Sequence, residues 1–225
     1  MFFPFFKKSL LKREIIPVIN VKTKQKFEER IHLLKDFKGI FQIDVADGVF
    51  TNWKNWHAPE ELKEIKHLKN RFEIHLMIQN LEKNLPLWLE SKPKRVIVHL
   101  EGLKNFEEVL KMCQKANAEL ALALNPETPI ERLTPYLKKI SFVVLLGVDP
   151  GPSGQKFRYF VLDKIKELRE KNPKINIELD GGINEEIALE ALKSGANILA
   201  IGSAIFESEK PKEKIKYFEE LLNKV

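Results

Sequence analysis

Three residues of this chain have the chemistry to act together on a substrate. Asp44 stands in FQIDVADG, His75 in FEIHLMI and Asp180 in IELDGGIN. Each sits in or at the end of a short apolar run that reads as buried strand, where a titratable side chain rarely survives without a partner. Two carboxylates and an imidazole at one place can hold a divalent cation. They can equally supply acid and base from opposite faces of a bound sugar. Taken singly, none demands either role, because a lone strand histidine is commonly a hydrogen-bonded core residue and an aspartate at a strand end is commonly a helix cap.

A second group suits an anion. LDGGIN carries Gly181 and Gly182 between a strand pattern and a helical one, and AIGSAIF carries Gly202 and Ser203 in the same situation. Glycine lets backbone N–H groups approach a ligand, and the start of a helix favours phosphate, although ordinary tight turns use the same residues. A third group is VDPGPSGQKF, where Pro150, Gly151, Pro152, Ser153 and Gly154 make a segment too rigid and apolar for a linker. It reads as a lid that closes over a substrate, with Gly154 toward the phosphate, or as a turn that ends a strand. Trp53, Trp56 and His57 in NWKNWHAP either line the same mouth or cap the neighbouring helix. His32 and His67 fall among charged helical positions and read as exposed, and Cys113 lies within a helix with nothing nearby to lower its thiol pKa.

The elements that must position these residues alternate in kind from about residue 14 onward. Apolar, β-branched runs at Glu14–Asn20, Ile40–Val45, Phe72–Ile78, Arg95–Leu100, Glu119–Asn125, Ile140–Val148, Ile175–Asp180 and Ile198–Gly202 read as strands apolar on both faces. Between them lie stretches with apolar residues every three or four positions, such as NFEEVLKMCQKAN and EEIALEALKSG. Eight strands, each followed by a helix, predict a single-domain (β/α)8 barrel over 14–225, with 1–13 as an N-terminal extension. In such a barrel the ends of the strands carry the chemistry, and the ends here hold Asn20, Asp44, His75, His99 with Glu101, Asn125, Asp149, Asp180 and Gly202.

Composition narrows the class. At 225 residues and 44% hydrophobic, the chain can bury a large core, and its one cysteine excludes a disulfide framework. No apolar run approaches the roughly 18 residues of a membrane span. The start, MFFPFFKKSLLKRE, puts its apolar patch before its basic cluster, the reverse of a secretory signal, so a cytoplasmic protein is expected. The net charge of +6 is spread over helical stretches rich in both Lys and Glu, which make solvated faces rather than a nucleic-acid surface. It would help attract an anionic metabolite. No membrane partner is expected.

As a set, IDVADGVF, EIHLMI, VHLEG, ALNPETPIE, VDPGPSGQKF, ELDGGIN and IGSAIF resemble the ribulose-phosphate 3-epimerase family in order and spacing, over nearly the whole chain after residue 14. The resemblance implies a phosphate-binding TIM barrel, a divalent metal (commonly zinc or iron) and proton transfer at carbon 3 of a ketose phosphate such as D-ribulose 5-phosphate. A homo-oligomer is also implied. It assigns Asp44 and Asp180 as acid and base, Asp44, His75 and Asp180 as metal ligands, and His75, Gly151, Ser153, Gly154, Gly181, Gly182, Gly202 and Ser203 to the substrate and its phosphate.

The departures from the family pattern cluster at the site. Gln42 replaces the first histidine of the metal set, Val18 replaces a serine that contacts substrate, and Ala46 and Leu146 replace methionines. Gln42 lies two residues before Asp44 and so shares its strand face. Its neutral amide oxygen in place of imidazole favours manganese or magnesium over zinc. A barrel that binds sugar phosphate without turning it over is the alternative.

Overall fold

The computed structural model describes residues 11–224 except 66, 67 and 69, so His67 and residues 1–10 of the expected extension lie outside the described residues. Eight parallel strands close into a barrel in chain order: β1 (Glu14–Ile19), β2 (Phe41–Ala46), β3 (Phe72–Met77), β4 (Arg95–His99), β5 (Glu119–Leu124), β6 (Phe142–Leu146), β7 (Asn176–Asp180) and β8 (Ile198–Ile201). All eight fall inside the runs marked out above, give or take a residue. The sixth is trimmed most, because the chain already turns at Gly147, whose N–H donates to the Asp180 carbonyl at 2.6 Å.

The helices are α1 (Lys24–Leu33), α2 (Pro59–Leu62), α3 (Leu81–Leu89), α4 (Phe106–Lys115), α5 (Val161–Lys171), α6 (Glu185–Ser194), α7 (Ser203–Phe206) and α8 (Pro211–Leu222). Local chemistry starts and stops them. Thr23, Asn105 and Asn184 accept from backbone N–H groups at the N-termini of α1, α4 and α6, and Gly195 ends α6 at φ +112°. None is long and apolar enough to cross a membrane.

The expected one-to-one alternation fails after β5, where a 3-10 turn at Ile130–Leu133 stands in place of an α-helix. The reason lies in NPETPIERLTP: prolines 126, 129 and 135 remove backbone donors and fix φ at short intervals, leaving no room for a long helix. Two helices, α7 and α8, follow β8 instead.

Apolar side chains pack in two places. Most of the core lies between the sheet and the helices, built from residues such as Phe27, Leu85, Val109, Ile165 and Phe218. A smaller cluster fills the barrel interior with Ile16, Ile97, Ala121, Ala123, Phe142, Val144, Leu146 and Ile198. These come mainly from β1, β4, β5, β6 and β8, whereas β2, β3 and β7 turn polar residues inward. At the opposite end from the mouth, Asn197 Nδ2 donates to Lys12 O at 3.0 Å and Arg13 Nη1 to Leu222 O at 2.8 Å, which ties the start of β1 to the barrel base.

Candidate active site

Registry explains how three strands bring the polar residues together. On β2 and β3, Gln42 pairs with Glu73 and Asp44 with His75, and on the far side Asp180 of β7 pairs with Ala200 of β8. Alternate residues face inward, so Asp44, His75 and Asp180 meet at the mouth, all buried, with one ligand atom from each lying within 4.8 Å of the others. His75 Nδ1 stands 3.1 Å from Asp180 Oδ2 and 3.5 Å from Asp44 Oδ1.

Gln42 lies in the middle of this group. Its Nε2 donates to Asp44 Oδ1 at 2.7 Å and to Asp180 Oδ2 at 2.8 Å, and stands 3.4 Å from His75 Nδ1. Its Oε1 is buried without a hydrogen-bond partner among the described residues.

Burial and the nearby Asp180 charge raise the Asp44 carboxyl above the usual range, although His75 and Gln42 work against the shift. Burial would lower the His75 pKa, but the two carboxylates overcome it and push it up to about 10. The tautomers follow from the neighbours. His99 Nδ1 faces Asn125 Oδ1 at 2.9 Å and Glu101 Oε2 at 3.5 Å, both acceptors, so it carries the proton. Burial and the His75 charge keep His99 below its ordinary pKa and therefore neutral, so its Nε2 accepts. His75 Nε2, at 2.8 Å, must then be the donor. In the ion-free protein the charged His75 therefore also carries a proton on Nδ1, shared with the carboxylates, and a cation bound there would take that proton's place while Nε2 goes on donating outward. Glu101 anchors this chain. Despite burial, the nearby His99 ring and hydrogen bonds from Thr128 and the Asn125 N–H pull its carboxyl down to about 2.

A second polar layer lies beneath, one that the motifs did not point to. Glu73 is ion-paired with Arg95, which also bonds Glu119 at 2.9 Å and stacks over Phe142 at 3.4 Å. Glu178 is fully buried, and neither of its carboxylate oxygens has a donor among the described residues. Burial and the Glu73 charge raise the Glu178 pKa well above the ordinary value, and burial pushes Glu73 up to about 7 against the pull of Arg95. Of the two buried carboxyls, Glu73 has the guanidinium's ion pair and Glu178 has none, so burial favours the protonated form more strongly at Glu178. The signal was present: Glu73 and Glu178 lie two residues before His75 and Asp180, on the same inward face.

The mouth is organised by Asn20, which uses all its hydrogen-bonding capacity. Its Nδ2 donates to Asp44 Oδ2 at 3.1 Å and to Gly151 O at 3.0 Å, and its Oδ1 accepts from Trp53 Nε1 at 3.2 Å and Asn55 Nδ2 at 3.1 Å. The loop after β6 is thus connected to Asp44. Gly151, Ser153, Gly154, Gly181, Gly182, Gly202 and Ser203 line one cleft with Val18, Asp44, His75 and Asp180. Gly181 and Gly182 adopt φ +96° and +70°, and Gly154 φ +82°, which favour glycine.

The remaining candidates separate. Trp53 belongs to the mouth, whereas Trp56 packs on Phe27 beside α1 with ring centroids 4.5 Å apart. His57 Nδ1 lies 2.7 Å from Asn55 O. His32 is exposed on α1, and Cys113 is buried in α4 with its thiol pushed up to about 12. Asp149 is paired with Arg158 outside the carboxylate group.

The architecture and the buried Asp–His–Asp group define a (β/α)8 barrel with a polar, cation-competent mouth. Solved structures agree on the fold: 3-hexulose-6-phosphate synthase from Salmonella typhimurium superimposes with a TM-score of 0.70 at 13% identity, covering 94% of this chain and 99% of that one. The chain belongs to the ribulose-phosphate 3 epimerase family, whose model matches residues 14–206. Ribulose-phosphate 3-epimerase of Helicobacter pylori strain J99 is 30% identical over 83% of this chain and 90% of its own. That of Eremothecium gossypii is 31% identical over 70% of this chain, and this chain spans 66% of it, just under two thirds.

Proposed function

We propose that this chain is an epimerase of a phosphorylated ketose, interconverting D-ribulose 5-phosphate and D-xylulose 5-phosphate by proton transfer at carbon 3. The observation that carries the reading is the placement of Asp44 and Asp180 around His75 in a cleft whose other wall is built from the loops 151–154, 181–182 and 202–203. The glycine walls offer backbone donors for the phosphate. With the phosphate held there, the sugar carbons extend toward the two carboxylates.

Asp44 and Asp180 come from β2 and β7, which are separated in the barrel by β1 and β8. One removes the carbon 3 proton, and the other returns a proton to the opposite face. The roles exchange in the reverse direction, and the step needs one of the pair ionised and the other protonated. Burial and mutual repulsion favour that division, and the Asp44 carboxyl is the one raised. Asn20 keeps Asp44 oriented, and the β6 loop bonded to Asn20 excludes water when closed.

Removing the proton leaves an enediolate whose charge needs stabilising. The donor set of two carboxylates and one imidazole suits a divalent cation: Asp44, His75 and Asp180 would hold it. A bound cation would polarise the substrate oxygens and stabilise that charge.

A second reading, a barrel that binds sugar phosphate without turnover, is favoured by the Gln42 amide lying between the carboxylates. Incubation with D-ribulose 5-phosphate in deuterated water separates the two. The epimerase exchanges deuterium into carbon 3, whereas a protein that binds the sugar phosphate with no exchange at any divalent cation tested is a binding barrel.

A further inference from the structure

We propose that Gln42 keeps the cation position of this barrel closed with its own side-chain amide, and that a divalent cation is held only after the amide turns over to present Oε1. The proposal rests on the cation part of the function above.

Four atoms surround one point at the mouth: Gln42 Nε2, Asp44 Oδ1, Asp180 Oδ2 and His75 Nδ1. Nε2 is 2.7, 2.8 and 3.4 Å from the other three, and His75 Nδ1 is 3.5 and 3.1 Å from the carboxylate oxygens. In a four-coordinate site with ligands about 2.0–2.2 Å from the ion, neighbouring ligand atoms stand roughly 3.3–3.6 Å apart. The His75 spacings are close to this. The two spacings from Gln42 to the carboxylates are shorter, as hydrogen bonds are.

The shell therefore has the size of a cation site, but one corner carries the wrong atom. An amide N–H₂ satisfies two facing carboxylates by bridging them, and it cannot ligate a cation, because its nitrogen offers no lone pair for the purpose. The amide oxygen, which could ligate, lies buried without a partner. A buried polar atom left unpaired is costly, so the present orientation is justified only by the two hydrogen bonds on its other side. A cation reverses that balance. It attracts both carboxylates directly, displaces the N–H₂ and gives Oε1 a partner. The same side chain is thus a clasp in the ion-free protein and a ligand in the loaded one, which makes ion-free folding stable and cation affinity modest.

Two readouts, neither of them turnover, test this. In EDTA, Gln42→Met, similar in length but unable to donate, should melt about 5 °C or more below wild type, because two charge-assisted hydrogen bonds are lost and the carboxylates face each other. Calorimetric titration with zinc and manganese should give at least tenfold tighter zinc binding for Gln42→His, which has a ligand and no clasp. Equal melting of wild type and Gln42→Met in EDTA, or equal zinc affinity of wild type and Gln42→His, overturns the proposal. Should Gln42→Met not fold, Gln42→Glu serves: it supplies a ligand oxygen and no amide clasp, so manganese affinity should rise at least tenfold, and an unchanged affinity overturns the proposal. Deuterium exchange in the wild type with no cation bound by any variant would overturn the clasp while leaving the epimerase standing. Clasp behaviour without exchange would do the reverse.

Discussion

The assignment of glycines 181 and 202 to one anion pocket can be tested by making the same change at both. At Gly181 a Cβ would lie 2.5 Å from Val148 Cγ2, and the backbone holds φ +96°. Strain at such a φ costs about 1–3 kcal/mol, and overpacking a filled site costs a further 1–3 kcal/mol or so. A loss of roughly 2–6 kcal/mol in a chain of this length lowers the melting temperature by about 4–24 °C. At Gly202 the nearest atoms to an added Cβ are Val18 Cβ at 3.6 Å, Val18 O at 3.7 Å and Ser153 Oγ at 4.0 Å, ordinary contacts that require no movement. Gly202→Ala should therefore fold with a melting temperature within about 3 °C of wild type. Its methyl group nevertheless projects between β1 and the β6 loop, into the cleft. A phosphate oxygen must come within about 3 Å of a backbone N–H to bond it, so the methyl should cost at least a factor of ten in sugar-phosphate affinity, about 1.4 kcal/mol. Circular dichroism melting and calorimetric titration with D-ribulose 5-phosphate read the two effects separately. A folded Gly202→Ala protein that binds with wild-type affinity would refute the placement of the phosphate, whatever Gly181→Ala does.

Two other substitutions test the carboxylates. Asp44→Asn and Asp180→Asn should each lower carbon 3 exchange by roughly 10²–10⁴-fold or more with the barrel still folded, and near-native exchange in either would rule out the two-carboxylate mechanism. Glu178→Gln should stabilise the protein increasingly as pH rises. The folded-state pKa of Glu178 is raised, so above the ordinary carboxyl range the unfolded chain releases a proton that the folded chain retains, and stability falls with rising pH by up to about 1.4 kcal/mol per unit. A neutral amide abolishes that loss, so the difference in melting temperature should widen from pH 5 to pH 8, and parallel curves would show that Glu178 is not the proton carrier.

The strands could be found from the amino-acid order because both of their faces are covered, which leaves short runs of Val, Ile and Leu with little interruption. The glycine turns were visible for a related reason: positive φ at Gly181, Gly182 and Gly154 leaves few other residues possible. The period of two also placed Gln42 beside Asp44. What it could not supply was the direction of the amide, which depends on Asp180 from a strand more than a hundred residues away. Glu73, Arg95 and Glu178 show a different limit. Each looks like an isolated charge at a strand position, and only closure of the barrel reveals that they share one interior. The missing helix after β5 was a matter of proline spacing, overridden by the expectation of regular alternation. His99 was noted as a strand-end residue, but its part in fixing the His75 tautomer requires the 2.8 Å contact between two rings on neighbouring strands.

The buried Glu73–Arg95–Glu178 layer also bears on how this lineage can change. Arg95 is the cation whose charge acts on both glutamates, and it lies against Phe142 in the barrel interior. Replacing Arg95 alone strands a carboxylate in the core, whereas replacing either glutamate alone alters the number of protons the interior must store. No single step to an apolar interior is neutral, although the finished apolar barrel could be as stable. The three positions should therefore drift together among relatives, through intermediates in which one glutamate has already become glutamine. On this reasoning the layer beneath the mouth should be inherited as a unit.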